Sequence, residues 1–289
     1  MKLRILFITI CMMIVSFGFG QKKYSKSATK LKPIEMHDDH TGCTLFVTDL
    51  IRRSNHPFDI EKAKGRSKSG NAQSAVFDID YIGFTPEAQS SLQFSFDVLS
   101  ALLTTPVPIR VSATYEVLEQ GTLGAARASG FYGTYGNVYP AALAEKIAGF
   151  NFDESESGHD IILSINSEAN WHLEPTDTIG GIGDKYDLAT VMMHEIIHGL
   201  GFIGGAGQFA DQTLGLRFNS GNVSIYDSFL ENNNGVPLID LGADMSQELT
   251  NAMTIGNLFF NSPRLADSLE VYTPVNWQGG SSIYHLNEN

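Results

Sequence analysis

The sequence predicts an α+β protein, and three observations carry that reading. Short apolar runs with strand-like alternation are interleaved with helical stripes between residues 75 and 166. A stretch that is apolar on nearly every side spans 187–200, and a loop-rich segment follows it to the end of the chain.

Each element has its own signal. Ala75–Ile82 carries Val76, Phe77, Ile79, Tyr81 and Ile82, which predicts a strand. Thr85-Pro86-Glu87 opens a helix, and Ala88, Leu92, Phe94, Phe96 and Leu99 continue it to about Leu103. Pro106–Tyr115 reads as a second strand and Pro140–Ala148 as a short helix. Asp160–Asn166, with Ile161, Ile162, Leu163 and Ile165, reads as a buried or edge strand that would bind an extended chain by strand addition. Asp187 is a good N-cap for a helix to Leu200, with Leu188, Val191, Met192, Ile196 and Ile197 on its buried sides. Gly199 and Gly201 are expected to end it. Asn232-Asn233-Asn234-Gly235 is a turn, and Ser246–Met253 a last helix. There is no internal repeat.

Ahead of this globular part lie two other regions. Lys2 and Arg4 precede an apolar run from Ile5 to Phe19, followed by Gly20-Gln21. That is the pattern of a secretory signal peptide over 1–20, and the run is shorter than the about 20 residues of a membrane span. Residues 21–74 are polar and lysine-rich, with one apolar piece from Thr44 to Ile51 and a Gly65–Asn71 linker. They read as an N-terminal extension or propeptide, leaving 75–289 as the functional domain. Loss of residues 1–20 takes the net charge from -13 to -15. Such acidity argues against nucleic acid and anionic membranes as partners and suits a secreted, extracellular protein, in the periplasm or at the cell surface. Only Cys43 would remain, so no intramolecular disulfide forms and the fold must rest on its core.

The chemistry is concentrated in His194-Glu195-Ile196-Ile197-His198. Histidines four apart on a helix project side by side, so two imidazoles can bind one Zn²⁺, and Glu195 between them can act as general base on the water. Catalytic zinc takes a third protein ligand. A compact H-E-x-x-H-x-x-G-x-x-H pattern would place it at position 204, where this chain has Gly204. The one downstream histidine is His285, 87 residues after His198, and the carboxylates Asp211, Asp227 and Glu231 are rivals.

His194 to Phe202, a long insertion and then Gly280-Ser281-Ser282-Ile283-Tyr284-His285-Leu286 resemble the leishmanolysin-type branch of the metzincin zinc peptidases. Gly83-Phe84-Thr85-Pro86-Glu87-Ala88-Gln89, the strand before Trp171 and Tyr226-Asp227-Ser228-Phe229-Leu230 fit the same type. The resemblance covers about 75–289. It implies a twisted mixed sheet, an active-site helix and a loop-rich C-terminal subdomain. It also implies a zinc site of His194, His198 and His285, with Glu195 as general base in an exported metalloendopeptidase acting on polypeptides. A methionine turn is expected after the third histidine; Met245 and Met253 come too early, so the chain is expected to stop short of it.

Other residues have weaker claims. Cys43 could hold the enzyme latent through its thiolate, though an idle thiol is the simpler reading. His37-Asp38-Asp39-His40 reads first as a solvated loop, and His56, His159 and His172 have no compelling spacing. Two other functions share the motif: a non-catalytic surface or binding module on a peptidase-like fold, and a zinc hydrolase acting on a non-peptide amide.

Overall fold

The computed structural model describes residues 74–133, 136–152, 158–174, 184–216, 222–263 and 265–287, and the backbone of 32–34 and 43–46. The signal peptide, the Gly65–Asn71 linker, His37 to His40 and His56 lie outside the described residues.

Two short strands come from the extension, β1 (Lys32–Ile34) and β2 (Cys43–Phe46). The globular part opens with β3 (Phe77–Ile82), α1 (Pro86–Leu102) and β4 (Ile109–Glu116), a parallel βαβ unit. Thr85 caps α1 by accepting from the Ala88 N–H at 3.2 Å, with Pro86 at the first helical position. Then follow β5 (Thr122–Ala128), β6 (Phe131–Gly133), β7 (Asn137–Pro140), α2 (Ala141–Ala148) and β8 (Ile161–Asn166). Short strands β9 (Trp171–His172) and β10 (Tyr186–Asp187) lead into α3 (Leu188–Leu200). The remainder is loop-rich, holding β11 (Ala206–Gln208), β12 (Leu214–Leu216), β13 (Val223–Ser224), β14 (Leu230–Asn232), α4 (Gln247–Thr254), β15 (Leu258–Phe260) and β16 (Leu269–Glu270). The architecture is α+β.

The main sheet has the order β2-β5-β8-β4-β3 and is mixed: β3, β4 and β8 are parallel, while β5 runs antiparallel to β8. One face is closed. Ile109, Val111 and Ala113 of β4 and Ile161, Leu163 and Ile165 of β8 are buried, as period-two alternation requires. On that face α3 packs against β5 and β8, and α1 against α3. Ser95 of α1 donates to the Ala189 carbonyl of α3 at 2.9 Å, which fixes the two helices in register.

Two sequence expectations need correction. Of the two readings of β8, buried or edge, the buried one holds, and the expected strand addition is overturned: β4 and β5 take both of its sides, so it has no free backbone to offer an extended chain. Strand β5 lies beside it, between β8 and the extension's β2. Its sequence Thr-Leu-Gly-Ala-Ala-Arg-Ala has weak strand propensity and gave no signal. Its residues are small because α3 lies close: a Cβ on Gly124 would sit 2.8 Å from Met192 Cε. Nor does Gly199 end α3. It is inside the helix, where a Cβ would sit 2.5 Å from Ile161 Cγ2, so glycine there lets α3 approach β8.

That contact yields a test. Gly199→Ala is expected to destabilise the protein by about 1–3 kcal/mol through overpacking. Ile161→Ala removes the opposing Cγ2, so the double variant should lose markedly less than the sum of the single losses in urea unfolding. Strict additivity would show that the helix–strand contact is not tight.

Candidate metal centre

Helix α3 supplies two of the three histidines. Asp187 caps it, accepting from the Thr190 N–H at 3.0 Å and from the Thr190 hydroxyl. Every residue from Leu188 to Leu200 is buried except Thr190 and His194. Burial on all sides holds the helix rigidly. His194 and His198 stand one turn apart with ring centroids 4.6 Å apart.

The helix ends in a Schellman motif. The Phe202 N–H bonds the Ile197 carbonyl at 3.1 Å, and the Gly201 N–H bonds the His198 carbonyl at 2.9 Å. Gly201 has φ +127°, which a side chain disfavours, and a Cβ there would come 3.2 Å from Pro140 Cγ. This turn aims the Phe202 carbonyl back at the helix, where it accepts from His198 Nδ1 at 2.8 Å. A carbonyl only accepts, so the proton of neutral His198 is on Nδ1 and the Nε2 lone pair faces inward.

The third histidine arrives from the end of the chain. His285 Nε2 lies 3.0 Å from His194 Nε2 and 3.2 Å from His198 Nε2, and His194 and His198 are 3.0 Å apart. A tetrahedral zinc with bonds of about 2.05 Å requires nitrogens about 3.3 Å apart, so the spacing fits with a small expansion. Hydrogen bonding alone does not account for three Nε2 atoms facing one centre, because His198 Nε2 carries no proton to share. Such a donor set could hold a metal cation. Among the described residues these three are the one group of histidine, cysteine or carboxylate side chains placed to hold a metal.

Electrostatics keep the site neutral. Burial, with His198 and His285 as neighbours, holds His194 well below the usual imidazole range. Burial takes His198 down to about 4 against the opposing pull of its Phe202 bond. Burial and His198 take His285 down to about 3. Neutral imidazole is the form that binds metal. Glu195 lies between the two helical histidines and has no exposed surface. Its Cγ is 3.8 Å from where a Cβ on Gly124 would be, which places the carboxylate under β5.

The return of His285 rests on residues that the motif does not show. Tyr226 is fully buried and donates its hydroxyl to the Ile283 carbonyl at 2.7 Å. The Tyr284 hydroxyl accepts from the Ala206 N–H at 2.6 Å. Tyr272 accepts from the Ile283 N–H at 2.7 Å and donates its own N–H to the His285 carbonyl at 2.8 Å. Rings of Phe202, Tyr226 and Phe260 pack together with centroids 4.8–5.5 Å apart, joining the end of α3 to this arm. Ile283 is held at φ +61°, an uncommon conformation for a β-branched residue.

The carboxylate rivals are elsewhere. Asp211 is an exposed turn residue bonded to Thr213, and Glu231 accepts from Asn261 at 2.7 Å on the surface. Asp227 is buried, accepting from the Gly205 N–H at 2.7 Å. A Cβ on Gly204 would lie 2.0 Å from Asp227 Oδ1. The carboxylate fills the room a side chain at 204 would need, which explains why the compact third-ligand position is empty of histidine. His159 pairs with Asp80 at 2.6 Å, and His172 lies in β9 opposite Asp187. Past His285 the chain stays attached, with Leu286 bridged to Val271 and the Asn287 N–H on the Glu270 carbonyl.

Residues 134–218 match the family described as SPBPB7E8-like, a stretch that includes His194, Glu195 and His198 and stops before His285. An alignment of 77 residues at 36% identity relates the chain to uncharacterized protein PB7E8.01 of Schizosaccharomyces pombe. It covers 26% of this chain and 13% of that relative, so the two share a segment only. No solved structure matches the chain.

Asp227 supplies a pH test. Burial pushes its carboxyl up to about 7 despite the Gly205 bond. Between its ordinary value, near 4, and about 7 the folded carboxyl keeps a proton that the unfolded chain has given up. Its contribution therefore lowers stability as pH rises across that window, by at most roughly 1.4 kcal/mol per pH unit. Burial also raises Glu145 to about 7, so the comparison must be variant against wild type. Asp227→Asn should flatten the urea-unfolding slope between about pH 5 and about pH 7. A slope unchanged by the substitution contradicts the placement of this carboxyl.

Proposed function

We propose that this chain is an exported zinc-dependent metalloendopeptidase of metzincin-like, leishmanolysin-like architecture. The observation that carries the reading is the convergence of three Nε2 atoms within 3.2 Å of one another, with Glu195 between two of their residues on one rigid helix. The mixed sheet with one antiparallel strand above the histidine helix and the loop-rich segment that returns His285 support the same architecture.

His194, His198 and His285 would hold the metal. Zinc there would supply a Lewis acid for the scissile carbonyl and lower the pKa of water toward ~7. The chain's own part is positional and acid–base. The Phe202 carbonyl holds His198 in the tautomer that presents its lone pair, as outer partners of ligand histidines do. Glu195 takes the proton from the attacking water and delivers it to the leaving amine nitrogen. A non-catalytic binding scaffold has no chemical use for a carboxylate at that point, which favours the enzyme.

Two measurements test this. Glu195→Ala should lose on the order of 10²–10⁴ of chelator-sensitive casein cleavage with its zinc content unchanged. His285→Ala should lose zinc affinity at least about tenfold. Cleavage surviving the first change would sink the mechanism, and full zinc affinity after the second would remove His285 from the ligand set.

Protons compete with metal only where the metal-free imidazoles protonate, and His198 and His285 do so near about 4 and about 3. Zinc affinity should thus stay nearly level from about pH 8 to about pH 5 and fall below that, whereas a site of ordinary histidines weakens from ~6.5. Loss of affinity starting near ~6.5, read by competition with a zinc dye, contradicts the burial of the site.

A further inference from the structure

The end of α2 and the heads of β4 and β8 enclose a second group of charges that the metal centre does not use. Glu145 of α2 and Asp160, one residue ahead of β8, are both buried. Arg110 of β4 is the guanidinium that faces them, 3.6 Å from Glu145 Oε1 and 3.8 Å from Asp160 Oδ1. Both distances are longer than a hydrogen bond, so one cation serves two carboxyls weakly. The backbone is tied to the same side chains. Glu145 Oε1 accepts from the Phe152 N–H at 2.8 Å, and Asp160 Oδ2 accepts from the Arg110 N–H at 2.7 Å. Helix α2 in turn stands behind the turn that closes α3: Pro140 Cγ and Leu143 Cδ2 lie 3.2 and 3.7 Å from where a Cβ on Gly201 would be.

Glu145 and Asp160 hydrogen-bond each other through their side chains, and two carboxyls do so only when one of them carries a proton. With both ionised, Glu145 Oε2 has no donor among the described residues, and two buried negative charges face one positive. The proton sits on Glu145. Burial, with Asp160 opposite, pushes it up to about 7 against the pull of the Phe152 N–H and of Arg110. The other elements packed on α2 bring no charge that offsets the pair. β6 and β7 carry only Tyr132 and Tyr139 as titratable residues. α3 carries His194, Glu195 and His198, none of which moves Glu145. His159 beside Asp160 is taken by Asp80, and Lys146 is the neighbouring cation on α2 itself.

We infer that Glu145, Asp160 and Arg110 form a pH-sensitive latch: the proton shared by the two carboxyls fastens the end of α2 to the heads of β4 and β8, and its loss leaves two buried carboxylates against one guanidinium, which loosens α2 behind the Gly201 turn. A loosened segment ionises Glu145 at its ordinary value of 4.5, whereas the closed latch keeps the proton up to about pH 7. The hold is therefore complete below about pH 4.5, weakens as pH rises and is lost above about pH 7. The latch goes beyond the peptidase reading and does not depend on it, because its parts lie outside the metal centre.

The test is amide exchange in the full chain, read as protection factors so that the intrinsic pH dependence of exchange is removed. From about pH 5 to about pH 7.5 the amides of residues 145–152 in the wild type should lose protection on the order of tenfold or more. Glu145→Gln keeps an acceptor for the Phe152 N–H and a donor for Asp160, with no proton to lose, and should lose most of that pH dependence. Asp160→Asn keeps an oxygen for the Arg110 N–H and leaves Glu145 to ionise against Arg110 alone. It should likewise lose most of the pH dependence, which covers a glutamine variant that fails to fold. Asp227, which titrates over the same window, is present in all three proteins and cancels in the comparison. Protection that stays level with pH in the wild type overturns the latch, as does a drop of wild-type size in either folded variant. Casein cleavage has no part in the readout, so failure of the peptidase reading leaves this result standing.

Discussion

His198 donates its Nδ1 proton to the Phe202 carbonyl at 2.8 Å, and much of the molecule serves that bond. It fixes the tautomer, and the tautomer decides that a lone pair rather than a proton faces His194 and His285. The carbonyl is aimed by the turn at Gly201, whose positive φ closes the Schellman motif. The turn in turn packs on Pro140 ahead of α2, and the Phe202 ring packs on Tyr226. Tyr226 then reaches Ile283, two residues before His285. One chain of contacts therefore links the end of the histidine helix, the tautomer of His198 and the position of His285.

The same linkage explains the long separation of His198 from His285. Asp227 occupies the space beside Gly204, so a ligand at that position would require the carboxylate to move. The chain instead spends its inserted segment on Tyr226, Phe260 and Tyr272, which clamp the returning arm by backbone bonds and ring packing. Burial of the three imidazoles keeps them neutral, which favours metal over protons at the pH of most compartments.

Much of this was legible in the sequence. Helical periodicity and a capping residue located α1, α3 and α4 to within about two residues, since capping is local chemistry read from a few side chains. His194 and His198 follow from helical spacing alone. His285 followed from being the remaining downstream histidine and from the resemblance of its surroundings; no local rule predicts a contact across 87 residues. β5 was illegible because its Gly and Ala residues record the closeness of α3 rather than any strand preference. Gly199 was misread for the same reason, a close tertiary approach that looks like a helix stop. The roles of Tyr226, Tyr284 and Asp227 depend on where the inserted segment folds back, which periodicity does not encode. The Tyr284 neighbour of His285 was the one available hint.

The central claim is that three imidazoles, and no other side chain, hold zinc at the end of α3. X-ray absorption at the zinc edge of the purified, zinc-loaded protein tests it most directly. The account predicts three imidazole nitrogens at about 2.0–2.1 Å and one oxygen, falling to two imidazoles in His285→Ala. A spectrum with two imidazoles in the wild type, or with a sulfur ligand, would contradict it.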